Sequence, residues 1–200
     1  MDATGKYRTP KVEQEGDILP NKLGLTVKAD IEKEEAKGFI EASLILTEEL
    51  TSETVFDTSY IYRMHKLALG HLYDFAGKLR TVNMSKGGFA FPAAFHLSQS
   101  MDDFQREILD HLHVSYEDDA TLIEDIARVH GELVFIHPFR EGNGRTARLL
   151  ANIMAFKAGR GRLHFEKLDS EEMFARYVLA VQKVGLKEYE PMREIIGYAF

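Results

Sequence analysis

The chain has no cysteine, so disulfides and thiolate-held metal centres are excluded, and the composition fits a reducing cytoplasm. No apolar run approaches the about 20 residues of a membrane span, and Met1-Asp2-Ala3-Thr4-Gly5-Lys6 lacks the apolar core of a secretion signal. A soluble, cytoplasmic protein without a membrane partner is expected. Basic residues are not in excess: 25 Lys and Arg stand against 32 Asp and Glu, interspersed, for a formal charge of -7. That balance argues against a nucleic-acid partner, which would be held by neutralising phosphates, and any polyphosphate must be small and locally bound. Repeats, low-complexity stretches and a linker that would divide the chain are all missing.

What is present is one core's worth of apolar residues, 44% of 200. Residues 1–20 are polar and aperiodic, with Pro10, Gly16 and Pro20, and read as a flexible N-terminal arm before a single domain over 21–200. Helical spacing runs through Ile31, Phe39, Ile40 and Leu44, and again from Asp57 to Tyr73 through Ile61, Met64, Ala68 and Leu72. It returns at about 93–112, 119–136, 143–158, 169–184 and 188–197. Between Gly77 and Pro92 the period changes, and Lys86-Gly87-Gly88 turns the chain into Phe89-Ala90-Phe91, which predicts a short β-hairpin. The expected fold class is all-α, a helical bundle with one hairpin.

Residues 137–148, His-Pro-Phe-Arg-Glu-Gly-Asn-Gly-Arg-Thr-Ala-Arg, carry the chemistry. The apolar series Leu122, Ile126, Val129, Leu133 and Ile136 delivers His137 to a helix end, where Pro138 discourages continuation. Gly142 and Gly144 flank Asn143 at the start of a second helix, where free amides form an anion cradle. Glu141 stands just before that cradle, the usual place for a carboxylate that shares Mg²⁺ with phosphate oxygens. Arg145 and Arg148, three apart on one helical face, are placed to grip the distal phosphates of a nucleoside triphosphate.

The run resembles the signature of the Fic family, His-x-Phe-x-[Asp/Glu]-Gly-Asn-[Gly/Lys]-Arg-x-x-Arg, at every specified position. Asn21-Lys-Leu-Gly, Phe75-Ala-Gly-Lys-Leu-Arg, Lys86-Gly-Gly-Phe-Ala and Tyr189-Glu-Pro-Met are similar to other family segments, so the likeness runs from about 21 to 200. The resemblance implies the Fic fold, with the hairpin as a target-binding flap at Lys86, Gly87, Gly88, Phe89 and Ala90. It implies transfer of AMP from ATP, with Mg²⁺, to a Tyr, Thr or Ser hydroxyl of a target protein. His137 would be the base, Glu141 the metal ligand, Gly142, Asn143 and Gly144 the anion hole, Arg145 and Arg148 the holders of the β/γ end, and Phe139 structural. Tyr177 resembles a residue near the nucleobase. Where the family often has Gly-Asp before Tyr-x-Pro, this chain has Lys187-Glu188.

Other chemistries share the motif. Transfer of UMP, GMP or phosphocholine reads the same phosphates; the death-on-curing kinase branch carries Lys where this chain has Gly144; a non-catalytic nucleotide-binding regulator would not need the base. His111 and His113, beside acidic residues, lack a third metal ligand and read as surface, while His65, His71, His96 and His164 read as structural and His130 as a brace for the motif helix. The family's inhibitory sequence, [Ser/Thr]-x-x-x-Glu-[Gly/Asn], is absent, which leaves a separate antitoxin-like partner or a degenerate form around Glu32 to Glu41.

Overall fold

The computed structural model describes residues 12–14, 18–86 and 89–200. Seven helices are found there: α1 (Lys28–Glu48), α2 (Thr58–Leu69), α3 (Leu97–Glu107), α4 (Asp119–Ile136), α5 (Asn143–Lys157), α6 (Glu171–Val184) and α7 (Glu190–Ala199). Their starts are chemically marked. The carboxylates of Asp57 and Asp118 accept from the main-chain N–H of Tyr60 (2.6 Å) and Thr121 (2.8 Å), and the Ser170 hydroxyl accepts from Met173 (3.3 Å), each satisfying a donor that has no partner inside its helix. The helix expected over 93–112 is broken in two places: Ala94–His96 and Leu109–His111 are 3₁₀ turns, with Ile108 out of helical geometry between the second turn and α3.

Helices α4 and α5 form the centre. Both bury residues on nearly every face, Leu122, Ile126, Val129 and Leu133 on α4 and Ala147, Leu150, Ile153 and Met154 on α5, as expected of helices surrounded by others. Helix α4 packs against α3, α5, α6 and α7, while α1 and α2 cover α5. The crossing of α1 and α2 is close because Gly38 has no side chain; a Cβ there would lie 1.9 Å from the Ala68 carbonyl oxygen. Among the described residues no helix is long and apolar enough to cross a membrane.

The hairpin is present as β2 (Asn83–Lys86) and β3 (Phe89–Ala90), antiparallel with Ser85 opposite Ala90 and Lys86 opposite Phe89. Its turn residues Gly87 and Gly88 lie outside the described residues. Within the stretch read as an arm, β1 (Val12–Gln14) pairs in parallel with β2, so the sheet has three strands in the order β1-β2-β3. Side-chain period did not announce β1 because three residues, Val12–Gln14, are too few to show an alternation. Residues 1–11 and 15–17 lie outside the described residues.

Candidate active site

The C-terminal end of α4 aims His137. Its main-chain N–H still closes on Leu133 O at 3.1 Å, but its backbone swings to φ 52°, ψ 57°, a left-handed conformation that costs a non-glycine residue about 1–2 kcal/mol. The ring answers by donating from Nδ1 to the Val134 carbonyl at 3.1 Å. A carbonyl can only accept, so Nδ1 carries a proton, and in the neutral ring the lone pair falls to Nε2. Phe91, just past β3, stacks on the imidazole with ring centres 3.7 Å apart and planes at 15°.

The turn from His137 to α5 is held from two sides. Inside, the Asn143 side chain accepts from the Phe139 N–H and donates to the Phe139 carbonyl, both at 2.8 Å, closing a ring of main chain around one buried amide. Outside, His65 on α2 stacks on Phe139, with centres 3.8 Å apart. His65 Nδ1 accepts from the Gly77 N–H (2.8 Å), which leaves Nε2 as the donor to the Glu141 carbonyl (2.9 Å). Burial drives the His65 pKa down to about 4, so this imidazole is neutral and its two roles are fixed. His65, read from sequence as an ordinary structural residue, therefore positions the motif loop.

Gly142 enters α5 at φ 76°, and a Cβ there would meet Leu69 Cδ1 at 2.8 Å, so both backbone and space require glycine. The N–H groups of the first turn of α5 follow, pointing out of the helix end with its partial positive charge. The Glu141 carboxylate accepts from the Gly142 N–H (2.7 Å) and from Arg145 (3.2 Å). Arg145 also donates to Glu35 of α1 at 2.7 Å, and Glu35 in turn accepts from the Tyr73 hydroxyl at 2.6 Å. That hydroxyl is held well above the usual tyrosine range by burial and by Glu35. Arg148 lies over the ring of Phe165, 5.5 Å from its centre, and pairs with no carboxylate among the described residues.

These groups share a cavity of about 620 Å³, within the usual range for a small-molecule site. His137, Glu141, Gly142, Asn143, Gly144, Arg145 and Arg148 form its floor, with Lys86 and Phe89 of the flap along the rim. At Gly144 an added Cβ would meet nothing within 4 Å, so the floor is open there. Tyr177 lines the far wall through its ring, because its hydroxyl is bonded to His130 Nε2 at 2.9 Å and burial pushes its pKa up to about 12. Asn143 reaches the cavity with its side chain already committed to Phe139, so its main-chain N–H is what it can offer an anion. His113, suspected and set aside as a metal ligand, is bonded through Nδ1 to the buried Asp125 (2.8 Å) and clamps a loop.

Sequence reading reached Glu35 only within the range Glu32 to Glu41 and did not foresee its bond to Arg145, and it missed the rest of the α6 wall: Phe174, Val178, Val181 and Gln182. The apolar members recur at helical spacing, and nothing in that pattern separates a cavity wall from a core face.

Comparison with known proteins agrees with this geometry. The chain is 27% identical over 165 residues to the protein adenylyltransferase VbhT of Bartonella schoenbuchensis, an alignment covering 82% of this chain and 34% of that protein. It is 34% identical over 149 residues to the protein adenylyltransferase Fic of Nematostella vectensis, covering 71% of this chain and 33% of that protein. The chain thus spans about a third of the length of these curated relatives. The crystal structure of the effector BepC from Bartonella tribocorum, determined with bound AMPPNP, superposes with a TM-score of 0.75 at 18% identity, covering 92% of this chain and 93% of that one, and shows the same fold. The family model of Fic/DOC matches residues 55–155, from the approach to α2 to the last turns of α5, and so takes in His65, the hairpin and the whole of the His137–Arg148 run. With half of its length matched and every motif position in place, the chain belongs to the Fic/DOC family.

Proposed function

We propose that residues 21–200 form the catalytic domain of a protein adenylyltransferase, moving AMP from ATP to a hydroxyl of a target protein. The observation that carries this reading is the bond from His137 Nδ1 to the Val134 carbonyl, which directs the other ring nitrogen, Nε2, to the role of proton acceptor, with the residue on the same cavity as the N-terminal turn of α5. His137 Nε2 takes the proton of the target hydroxyl, whose oxygen forms a bond to the α-phosphorus as the bond from that phosphorus to the β-bridging oxygen breaks and pyrophosphate departs. The first-turn amides of α5 hold the phosphate oxygens, and Arg145 and Arg148 bind the distal end. The AMPPNP in the BepC structure supports a nucleotide in such a fold.

Glu141 is the residue that would hold Mg²⁺. The donors fit: this ion takes one or two carboxylates and fills its shell with phosphate oxygens and water, and among the described residues no group of three acidic or imidazole ligands exists that would cage it alone. When bound, it neutralises phosphate charge during displacement. Target recognition is assigned to the flap. Strand β1 covers the outer side of β2, so an extended target segment adds to the open edge of β3, beside Phe89 and Phe91 and over the cavity. Control is assigned to a separate antitoxin-like partner, since among the described residues Arg148 has an aromatic ring as its neighbour and no carboxylate paired with it.

The test is incubation of the protein with cell lysate, Mg²⁺ and ATP labelled at the α- or the γ-phosphate. Protein labelled from α alone supports the proposal, and His137→Ala abolishes it, with the loss on the order of 10²–10⁴ expected for a general base, while ATP binding persists. Label from γ alone indicates a kinase, label from UTP, GTP or CDP-choline reassigns the donor, and tight nucleotide binding without any label indicates a regulator.

A further inference from the structure

Arg80, between α2 and the flap, is 3% exposed, and its contacts are unusual for a buried cation. Nε donates to the His137 carbonyl at 2.7 Å, Nη1 to the Val82 carbonyl at 2.7 Å and Nη2 to the Pro92 carbonyl at 2.6 Å. Its main-chain N–H donates to Pro138 O at 2.8 Å. Burial lowers its pKa to about 10, which still leaves the guanidinium charged at neutral pH. Burying a charge is costly unless its donors are satisfied, and here main-chain carbonyls satisfy them with no carboxylate at the guanidinium in the three contacts named. The three acceptors explain what is gained. Val82 immediately precedes β2 and Pro92 lies just past β3, so they are the two feet of the flap; the third acceptor is the main chain of the proposed base.

We propose that Arg80 is a positioning residue that locks both feet of the flap to the main chain of His137 and so sets the distance between the docked target hydroxyl and the base. The guanidinium suits this because its donors are held in one rigid plane, whereas a lysine ammonium would leave at least one foot loose. Two further features share the same frame. His137 is held in its left-handed conformation with its carbonyl turned onto Arg80, and Phe91, the residue before the Pro92 foot, lies flat on the imidazole. Flap and base thus move as one body.

The kinetic consequence rests on the transfer reaction proposed above; the structural consequence does not. Three measurements test this, the first on the wild-type protein and the other two comparing Arg80→Lys with it. In the wild type, NMR of the Arg80 Nε–H shows slow exchange with solvent, as a proton buried against the His137 carbonyl requires; exchange as fast as in a free arginine overturns the proposal without any variant. In Arg80→Lys the His137 ring protons lose the ring-current shift from Phe91, as they also do in Phe91→Leu, while those of His130, stacked on Phe165, keep theirs and report an intact fold. In the transfer assay Arg80→Lys lowers kcat on the order of 10²-fold, the scale of a 1 Å misplacement, with the ATP Kd changed less than about three-fold and a larger share of ATP consumed by water. A variant whose His137 shift and kcat are those of the wild type overturns the proposal, as does a parallel fall in kcat and ATP affinity. If the wild type transfers nothing, the reaction is refuted, and the Nε–H and ring-current measurements still judge Arg80.

Discussion

Replacing Asn143 by alanine separates two roles for that residue. Its side chain makes two 2.8 Å hydrogen bonds, one to the N–H and one to the carbonyl of Phe139, and both ends are buried. Alanine leaves a buried donor and a buried acceptor unpaired, each at about 1–3 kcal/mol. Partial relaxation of a five-residue turn recovers some of this, and the expected loss of stability is about 2–4 kcal/mol. For a chain of this size that corresponds to a fall in Tm on the order of 5–15 °C. Activity falls as well, because Phe139 is two residues from His137 and release of the turn shifts the imidazole. Thermal unfolding followed by circular dichroism, with the label-transfer assay on the same samples, reads both. A Tm within about 2 °C of the wild type, a shift corresponding to no more than about 1 kcal/mol, refutes the claim that these bonds hold the turn. If activity alone collapses, the amide acts on the nucleotide, and the side chain must turn away from Phe139 to reach it.

Stability should fall with acidification between pH 6.5 and 4. His65 and His130 are each held by burial at about 4, against an ordinary value of 6.5, so in this window the unfolded chain binds protons that the folded chain refuses. Folding free energy therefore decreases as pH drops, by about 2 kcal/mol per histidine at pH 5; urea unfolding that gives equal free energies at pH 5 and pH 7 contradicts this. For the flap, the Phe91 N–H bonds inward to Met84 O, so the alternation of a strand turns the main-chain groups of Ala90 to the open edge. Ala90→Pro should abolish labelling of a protein target while ATP affinity stays within about three-fold, since proline removes that donor; undiminished labelling removes strand addition at β3. Glu35→Gln should weaken the hold on Arg145 and should not raise automodification. Strong activation by this one change would identify Glu35 as an inhibitory glutamate acting through the first motif arginine instead of the second.

The sequence by itself determined most of the helices and picked out one contiguous run as the candidate site. Apolar residues recurring at helical spacing specify α4 and α5 because a helix must bury such a stripe, and Pro138 and Gly142 are local backbone instructions that need no partner to take effect. His137, Glu141 and the two arginines are legible because their types and spacing are useful together and poor as packing. Tertiary structure decided everything that depends on residues far apart in the chain. Glu35 meets Arg145 across 110 positions, His65 reaches the Glu141 carbonyl across 76, and Arg80 joins His137 across 57. Helical spacing from Ile31 puts Glu35 on the buried face of α1 with Ala42 and Leu46, but nothing local says which cation it meets there, and the period of Phe174 and Val178 is the same whether the space beyond is a core or a cavity. Strand β1 escaped for a related reason: its three residues are too few to show an alternation, and its partner β2 lies far along the chain. Local sequence fixes which way a helix turns its side chains, and only the packing of helices against one another says what those side chains face.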